Sequence, residues 1–537
     1  MQDGGNRRWP ACSKGLGVAA VAAYLPRLMK RQGKVFLVGA GPGDAGLITV
    51  RGAEVLGTAD VVVYDALVNP ALLALAPSTA ERIFGGKRAA AHAIPQEELN
   101  KLLVEKAKAG ATVVRLKGGD PYVFGRGGEE ALELADAGVA FEVVPGVSSV
   151  TAALNYAGIP LTHRDHCSSF TVLTGHEDPT KPDSAVDLGL LARMPGTKVV
   201  LMGVERIDEI ARRLVEGGAS AKTPAAMIQW GTTGRQKSVS ATLGTIGEAA
   251  RKAGITTPAI TVIGDVVSER KRLNWFETRT LHGRRVVVTR TREQASQVSV
   301  QFRELGAEVL EIPTIRIAPP VDMDPLVECI SGIGEYDWLV FTSPNGVVTF
   351  FDYFFKAFKD VRDIGNVRIA AVGPATAAKV AEFHLNVDAM PSEYVASKVA
   401  AAIGAVETIE NLRFLIVRAE VATPELPRTL EEKGGIVDAI ACYRTIPETE
   451  DLNGSAASLA ESGADWVTFT SASTVENFHG RFDLTELRRR FPGLKTASIG
   501  PETSKALKAL GIAPDVEARE HNIPGLVSAV RKAAGVR

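Results

Sequence analysis

The stretch Arg115-Leu-Lys-Gly-Gly-Asp-Pro-Tyr-Val-Phe-Gly-Arg126 gathers glycine, acid and base into one loop. Gly118 and Gly119 remove two side chains and let backbone approach a ligand closely. Asp120 precedes Pro121, which biases it to extended backbone. A Gly-Gly pair alone fits a tight strand-to-helix turn; the density of Gly, Asp and Arg points to a small-molecule site. Asp65 closes the apolar run Asp60-Val-Val-Val-Tyr-Asp65, and Lys87 sits in the turn Gly85-Gly-Lys-Arg88. Both are placed at loop mouths, where the alternative is ordinary solvated charge. Gly41-Pro-Gly-Asp-Ala-Gly46 satisfies the dinucleotide pattern Gly-x-Gly-x-x-Gly. Pro42 removes a backbone donor where a pyrophosphate needs one, and Asp44 adds like charge, so a nicotinamide reading ranks low. His163-Arg-Asp-His166-Cys167 looks like a metal cluster, but zinc needs three or four convergent ligands. No metal is expected.

The elements that position these residues alternate strand and helix. Ala111 to Leu116 reads as a buried strand and Gly128 to Gly138 as a helix, so the glycine loop leaves a strand end, where open α/β sheets bind ligands. Lys34 to Gly39 and Asp60 to Asp65 are further strands. From Ser169 a second lobe begins, with apolar runs Ser169 to Thr174, Lys198 to Gly203, Ala225 to Gly231 and Ala259 to Gly264. Ser268 to Gly283 is basic, then aromatic, then a turn, and reads as a linker over residues 269–283. Beyond it, Asp337-Trp-Leu-Val-Phe-Thr-Ser343 matches Asp465-Trp-Val-Thr-Phe-Thr-Ser471, and Ile369 to Thr376 matches Ala497 to Thr503. This internal repeat predicts two similar lobes. In each, Thr-Ser and Gly-Pro turns enter a helix N-terminus, which suits carboxylates; plain N-capping is the alternative.

A chain of 537 residues suggests three or four compact lobes. The formal net charge of −1 gives no global field for nucleic acid, so an anionic ligand must be met by local cations. Four scattered cysteines fit a reducing cytoplasm, and no apolar run is long enough for a membrane. Residues 1–28 mimic a signal peptide but are read as a weakly ordered extension, within 1–32, with Met29 as an alternative start.

The Gly-Gly-Asp-Pro loop resembles that of the uroporphyrinogen-III C-methyltransferases, in the tetrapyrrole methylase family. Val38 to Asp44, Val63 to Val68, Val144 to Ser149 and Gly158 to Arg164 resemble the same family, over about Gly33 to Ser268. The resemblance implies S-adenosyl-L-methionine held between two α/β lobes (33–167 and 168–268), in a homodimer. It implies Asp65 as proton acceptor and Lys87 as proton donor. It implies a cofactor lining of Pro42, Gly118, Gly119, Asp120, Val123, Ser148, Ser149, Met202 and Gly231.

The C-terminal half resembles uroporphyrinogen-III synthase through Val288 to Arg290, Phe341 to Gly346, Ile416 to Glu420, Ala441 to Thr445, Thr468 to Ser471 and Ile499 to Pro501. The resemblance implies two lobes joined by two strands: residues 284–314 with 447–537, and 315–446. It implies that Tyr443 assists loss of a hydroxyl. Polycarboxylate substrates imply cations and polar groups at loop mouths, with Arg115, Arg126, Arg290, Ser343, Asn345 and Ser471 as candidates. The expected fold class is therefore α/β: a two-lobed tetrapyrrole methylase fold followed by a two-lobed uroporphyrinogen-III synthase fold. The expected function is cytoplasmic and bifunctional. Hydroxymethylbilane is closed to uroporphyrinogen III, which is then methylated twice to precorrin-2, with small-molecule tetrapyrroles as partners. The rival reading makes the second half a non-catalytic tetrapyrrole-binding module.

Overall fold

The computed structural model describes residues 33–535, apart from 78, 87–93, 177–185, 290–291, 394–395 and 452. The chain divides into two units, Met1–Arg279 and Thr280–Arg537. In the first, five strands build one sheet: β1 (Lys34–Gly39), β2 (Val61–Tyr64), β3 (Glu81–Phe84), β4 (Thr112–Lys117) and β5 (Ala140–Val144). All pairings are parallel, in the order β3-β2-β4-β1-β5. Parallel strands are covered on both faces, which is why β1, β2 and β4 are near-continuous Val and Leu runs. Val38, Val114 and Leu116 pack on one face with Val55 and Leu56 of helix Val50–Leu56. Val35, Leu37 and Val113 pack on the other with Ala131 and Leu134 of helix Gly127–Asp136. The connections leaving β1 and β4 therefore run to opposite faces. Adjacent parallel strands that part in this way open a crevice at their carboxyl ends.

The second lobe of this unit is a mixed sheet of β6 (Phe170–Thr174), β7 (Thr197–Leu201), β8 (Pro224–Gln229), β9 (Lys237–Thr242) and β10 (Ala259–Ile263), in the order β6-β7-β10-β8-β9. Because β10 is antiparallel to both β7 and β8, the carboxyl ends of β7 and β8 share one edge.

Among its described residues the second unit holds ten strands: β11 (Arg285–Val288), β12 (Glu308–Glu311), β13 (Ile315–Ala318), β14 (Trp338–Phe341), β15 (Arg368–Ala371), β16 (Arg413–Ala419), β17 (Ile436–Pro447), β18 (Trp466–Phe469), β19 (Lys495–Ser498) and β20 (Val516–Glu517). They form two sheets, β12-β11-β18-β19-β20 and β13-β17-β16-β14-β15. The chain crosses between the lobes just before β13 and just after β17. The repeat in the sequence has a physical counterpart. Asp337 Oδ2 accepts from the Arg413 amide and Asp465 Oδ2 from the Arg285 amide, so each aspartate ties the start of its strand to the neighbouring one.

The stretch expected as a linker is largely part of the first unit. Tyr156 packs against Trp275 and Phe276, with ring centroids 5.0 and 4.8 Å away. The Trp275 indole donates to Asn155 O at 3.0 Å. Glu277 pairs with Arg270 at 2.5 Å, with both side chains nearly buried, and accepts from Gln236 and Ser238. Charge and turn residues suggested a solvated tether; the aromatic pair overrides them by covering the helix Ser149–Tyr156. The boundary therefore falls at Arg279/Thr280 and not across 269–283.

Phe276 is 4% exposed, so Phe276→Ala should destabilise the first unit by about 3–5 kcal/mol. Urea unfolding of the full chain checks this. The second unit's transition should stay in place, whereas a free tether predicts a change within about 0.5 kcal/mol.

Candidate functional site

Three loops meet at the crevice above β1 and β4. Gly41 and Gly119 exchange backbone hydrogen bonds at 3.2 and 2.7 Å. A Cβ built on Gly39 would lie 2.7 Å from the Gly119 carbonyl oxygen, and one on Gly146 would lie 2.6 Å from Gly39 Cα. Real Cβ atoms do not come so close to backbone, so glycine is required on both sides of the seam. Gly119 has a φ of 72°, and nothing lies within 4 Å of the place its Cβ would take. That opening is a cradle bounded by backbone, where a ligand can approach the chain closely. Pro42 follows Gly41 on the rim.

Asp120 joins two of the loops. Its Oδ1 accepts from the Tyr122 amide at 2.8 Å and its Oδ2 from the Gly146 amide at 3.0 Å. It holds the β4 loop against Pro145-Gly146, and thereby places the next turn. There Ser148 caps helix Ser149–Tyr156, accepting from the Val150 amide at 3.3 Å, and Ser149 begins the helix. Gly118 passes under Leu67, whose Cβ would lie 3.0 Å from a Cβ at Gly118. The loop carrying Asp65 thus folds over the glycine loop.

The second lobe closes the other side. The Asp44 amide donates to Thr232 Oγ1 at 3.0 Å, and the Thr232 amide to Gln236 Oε1 at 2.8 Å. Gly231 sits against Ala153 of helix Ser149–Tyr156, at 2.5 Å from a would-be Cβ. Met202 lies on the same sheet edge, after β7, with its side chain about half exposed. Among the described residues, positive-φ positions other than glycine include Phe124, Arg126, Met202, Trp230 and Thr232. All five are in these loops. Backbone strain of this kind concentrates where a ligand is held. Val123 is exposed beside Phe124, and Arg126 is paired with Glu129 at 2.6 Å.

Asp65 is at the mouth, with its side chain 31% exposed, and Arg115 Nη2 reaches its Oδ1 at 2.5 Å. Arg115 itself is 3% exposed. The expectation that it meets substrate at the loop mouth is therefore corrected: both ends of its guanidinium are engaged inside the protein. Its Nε donates to Glu130 Oε1 at 3.1 Å, and Lys117 Nζ donates to the same oxygen at 2.8 Å. Burial, and secondly Arg115, hold the Lys117 ammonium pKa below its ordinary value. Lys87 lies outside the described residues.

In the second unit Tyr443, on the crossing strand β17, is 6% exposed, and its hydroxyl is 2.9 Å from Ser343 Oγ. Burial raises the phenol pKa, and either hydroxyl of the pair can donate to the other. Ser343 also caps helix Pro344–Ala357, accepting from the Gly346 amide at 3.1 Å. Asn345 is in the first turn of that helix. Ser471 caps the equivalent helix Ala472–Phe482 in a capping box with Thr474, so its hydroxyl is committed locally. The capping alternative therefore holds for both serines, and Ser343 alone adds a link to Tyr443. Arg290 lies outside the described residues. Two cations that sequence reasoning did not single out lie on the neighbouring strands β16 and β17. Arg418 is the next-to-last residue of β16 and Arg444 follows Tyr443, and the Nε of each is buried without a hydrogen-bond partner. Arginine within an apolar strand run was the available signal.

The dinucleotide alternative meets an obstacle here. Asp44 accepts from the Tyr156 hydroxyl at 2.8 Å and caps a short 3-10 turn, so a fixed carboxylate stands in the glycine turn where a pyrophosphate would meet like charge. His166 is turned to Glu269 at 2.9 Å. No group of three or more potential metal ligands occurs among the described residues, nor a helix long and apolar enough to cross a membrane.

Two family models match the chain: Tetrapyrrole (Corrin/Porphyrin) Methylases over residues 34–247, and Uroporphyrinogen-III synthase HemD over residues 296–528. The porphyrin biosynthesis protein HemD of Ruminiclostridium josui is 40% identical over 477 residues, 89% of this chain and 93% of that protein. An S-adenosyl-L-methionine-dependent uroporphyrinogen III methyltransferase of Methanosarcina barkeri is 50% identical over 235 residues, 44% of this chain and 92% of its own. The crystal structure of uroporphyrin-III C-methyl transferase from Thermus thermophilus complexed with S-adenyl homocysteine is 41% identical. It covers 44% of this chain and 93% of its own, with a TM-score of 0.38.

Asp120→Asn replaces a charged acceptor of two amides with one that offers a single oxygen. The lost bond to a charged group is worth about 1.5–3 kcal/mol. S-adenosylmethionine binding, measured by calorimetry, should weaken about 10- to 100-fold. Unchanged affinity would show that the loop holds its shape without Asp120.

Proposed function

Because the chain belongs to the tetrapyrrole methylase family through its first unit and to the uroporphyrinogen-III synthase family through its second, we propose that it is a bifunctional enzyme of tetrapyrrole biosynthesis. The second unit closes hydroxymethylbilane to uroporphyrinogen III. The first then methylates two ring carbons to give precorrin-2. The observation that carries the methylation reading is the glycine seam between the β1 and β4 loops, with the Asp65 carboxylate just past the end of the adjoining strand β2.

S-adenosylmethionine, when bound, supplies a sulfonium methyl group as the electrophile. Pro42, Gly118, Gly119, Asp120, Val123, Ser148, Ser149, Met202 and Gly231 are the residues that would hold it. The glycines admit it close to the backbone, and Asp120 keeps their loop in shape. A ring carbon that gains a methyl group must lose its proton, and Asp65 accepts it. Lys87 is the proton donor of this scheme, and Arg126 meets substrate carboxylates. The methylase half assembles as a homodimer, and the protein works in the cytoplasm.

In the second unit the reaction breaks a carbon–oxygen bond and releases water. Tyr443 O–H donates to the departing hydroxyl, and Ser343 fixes the direction of that donation. Arg418 and Arg444, on β16 and β17, are cations available to the substrate's carboxylates. Arg290, Asn345 and Ser471 complete the proposed binding set, Ser471 through the helix N-terminus it caps.

Two substitutions test whether the activities are separate. Asp65→Asn should slow single-turnover methylation about 100- to 10,000-fold and leave ring closure at the parent rate. Tyr443→Phe should slow ring closure and leave methylation of supplied uroporphyrinogen III untouched. Parent-rate methylation by Asp65→Asn would remove its role as proton acceptor. Parent-rate closure by Tyr443→Phe would do the same for Tyr443.

A further inference from the structure

We infer that Arg115 and Glu130 are positioning residues for Asp65, fixing its carboxylate from inside the protein. The inference rests on the reading of Asp65 as the proton acceptor. Glu130 is fully buried on helix Gly127–Asp136, and its Oε1 receives Arg115 Nε, Lys117 Nζ and Gln96 Nε2 at 3.1, 2.8 and 3.1 Å. Its Oε2 is buried with no partner. The carboxylate is thus turned so that one oxygen meets all three donors, although the other is left unsatisfied at a cost. Arg115 carries this orientation outward. Its guanidinium is a rigid plane, held by Glu130 at Nε and by Asp65 at Nη2. The cluster contains two carboxylates and two cations, of which only Asp65 is appreciably exposed, at 31% against 4% or less for the other three side chains.

Buried ion pairs are a poor source of stability, because apolar residues of similar volume serve as well or better. A buried network with a single outlet at the reacting carboxylate is explained by placement. Misplacing a catalytic group by about 1 Å costs on the order of 100-fold in rate. Lysine at position 115 would keep the charge, but its single ammonium cannot hold both carboxylates in one plane.

A double-mutant cycle on the full chain separates positioning from general support. Arg115→Met and Arg115→Lys should each slow single-turnover methylation about 10- to 100-fold. The S-adenosylmethionine dissociation constant, read by calorimetry, should stay within about twofold, and ring closure should be unchanged. In an Asp65→Asn background the same changes should cost less than about threefold more, because their effect passes through Asp65. The pair Glu130→Gln with Lys117→Met, which keeps the cluster's net charge, should behave alike. If Arg115→Met does not fold, Arg115→Lys carries the test. Equal losses in both backgrounds, a proportional rise in the dissociation constant, or a parent rate for Arg115→Lys would overturn the inference. Should Asp65→Asn alone methylate at the parent rate, the proton-acceptor reading falls and takes this one with it. A slow Asp65→Asn with uncoupled Arg115 variants refutes only the positioning.

Discussion

Three backbones crossing at Gly39, Gly119 and Gly146 set the terms for the rest of the first unit. Would-be Cβ atoms at Gly39 and Gly146 fall within 2.8 Å of neighbouring backbone, so any side chain there forces the loops apart. Parting them would break the paired Gly41–Gly119 hydrogen bonds, each worth about 1 kcal/mol net. The larger consequence is geometric. Asp120 can reach the Gly146 amide only while the seam is closed, and the Ser148 turn follows directly from Gly146. Opposite-faced helix connections from β1 and β4 create the crevice, and the glycines allow its rim to close without filling it.

The second unit solves a related problem by duplication. Asp337 and Asp465 fasten equivalent strands, and Ser343 and Ser471 cap equivalent helices. The two copies differ in what the capping serine touches. Ser343 shares its hydroxyl with Tyr443, which the long crossing strand β17 delivers to the edge of the second lobe. Ser471 has Ser473 and Thr474 as neighbours and keeps a purely capping arrangement. The difference between the copies therefore follows from which strand crosses between lobes and not from the repeated motif.

Much of this was legible in the residues. Val-rich runs ending in Gly or Asp gave the parallel strands of the first sheet, and an acid at a strand end gave Asp65. The internal repeat gave the paired lobes of the second unit. Arg115 was misplaced because its neighbours in the loop drew it toward the ligand; its position in a buried strand should have suggested a buried partner. That partner was also visible. In helix Gly127–Asp136 the buried positions are Gly127, Glu130, Ala131 and Leu134, so Glu130 occupies the apolar stripe. Trp275 and Phe276 were read as tether because only tertiary contact with Tyr156 gives them a core. The left-handed residues Met202, Trp230 and Thr232 carry no local signal, since none is a type that favours that conformation.

The measurement that bears most directly on the account is product analysis by mass spectrometry, with hydroxymethylbilane and S-adenosylmethionine supplied together. The parent protein should yield a cyclic tetrapyrrole carrying two added methyl groups. Gly146→Ala, which opens the seam but leaves the second unit alone, should stop at unmethylated uroporphyrinogen III formed at the parent rate. A dimethylated product from Gly146→Ala at the parent rate would contradict the seam as the basis of the methylation site. An uncyclised product from the parent would contradict the assignment of ring closure to the second unit.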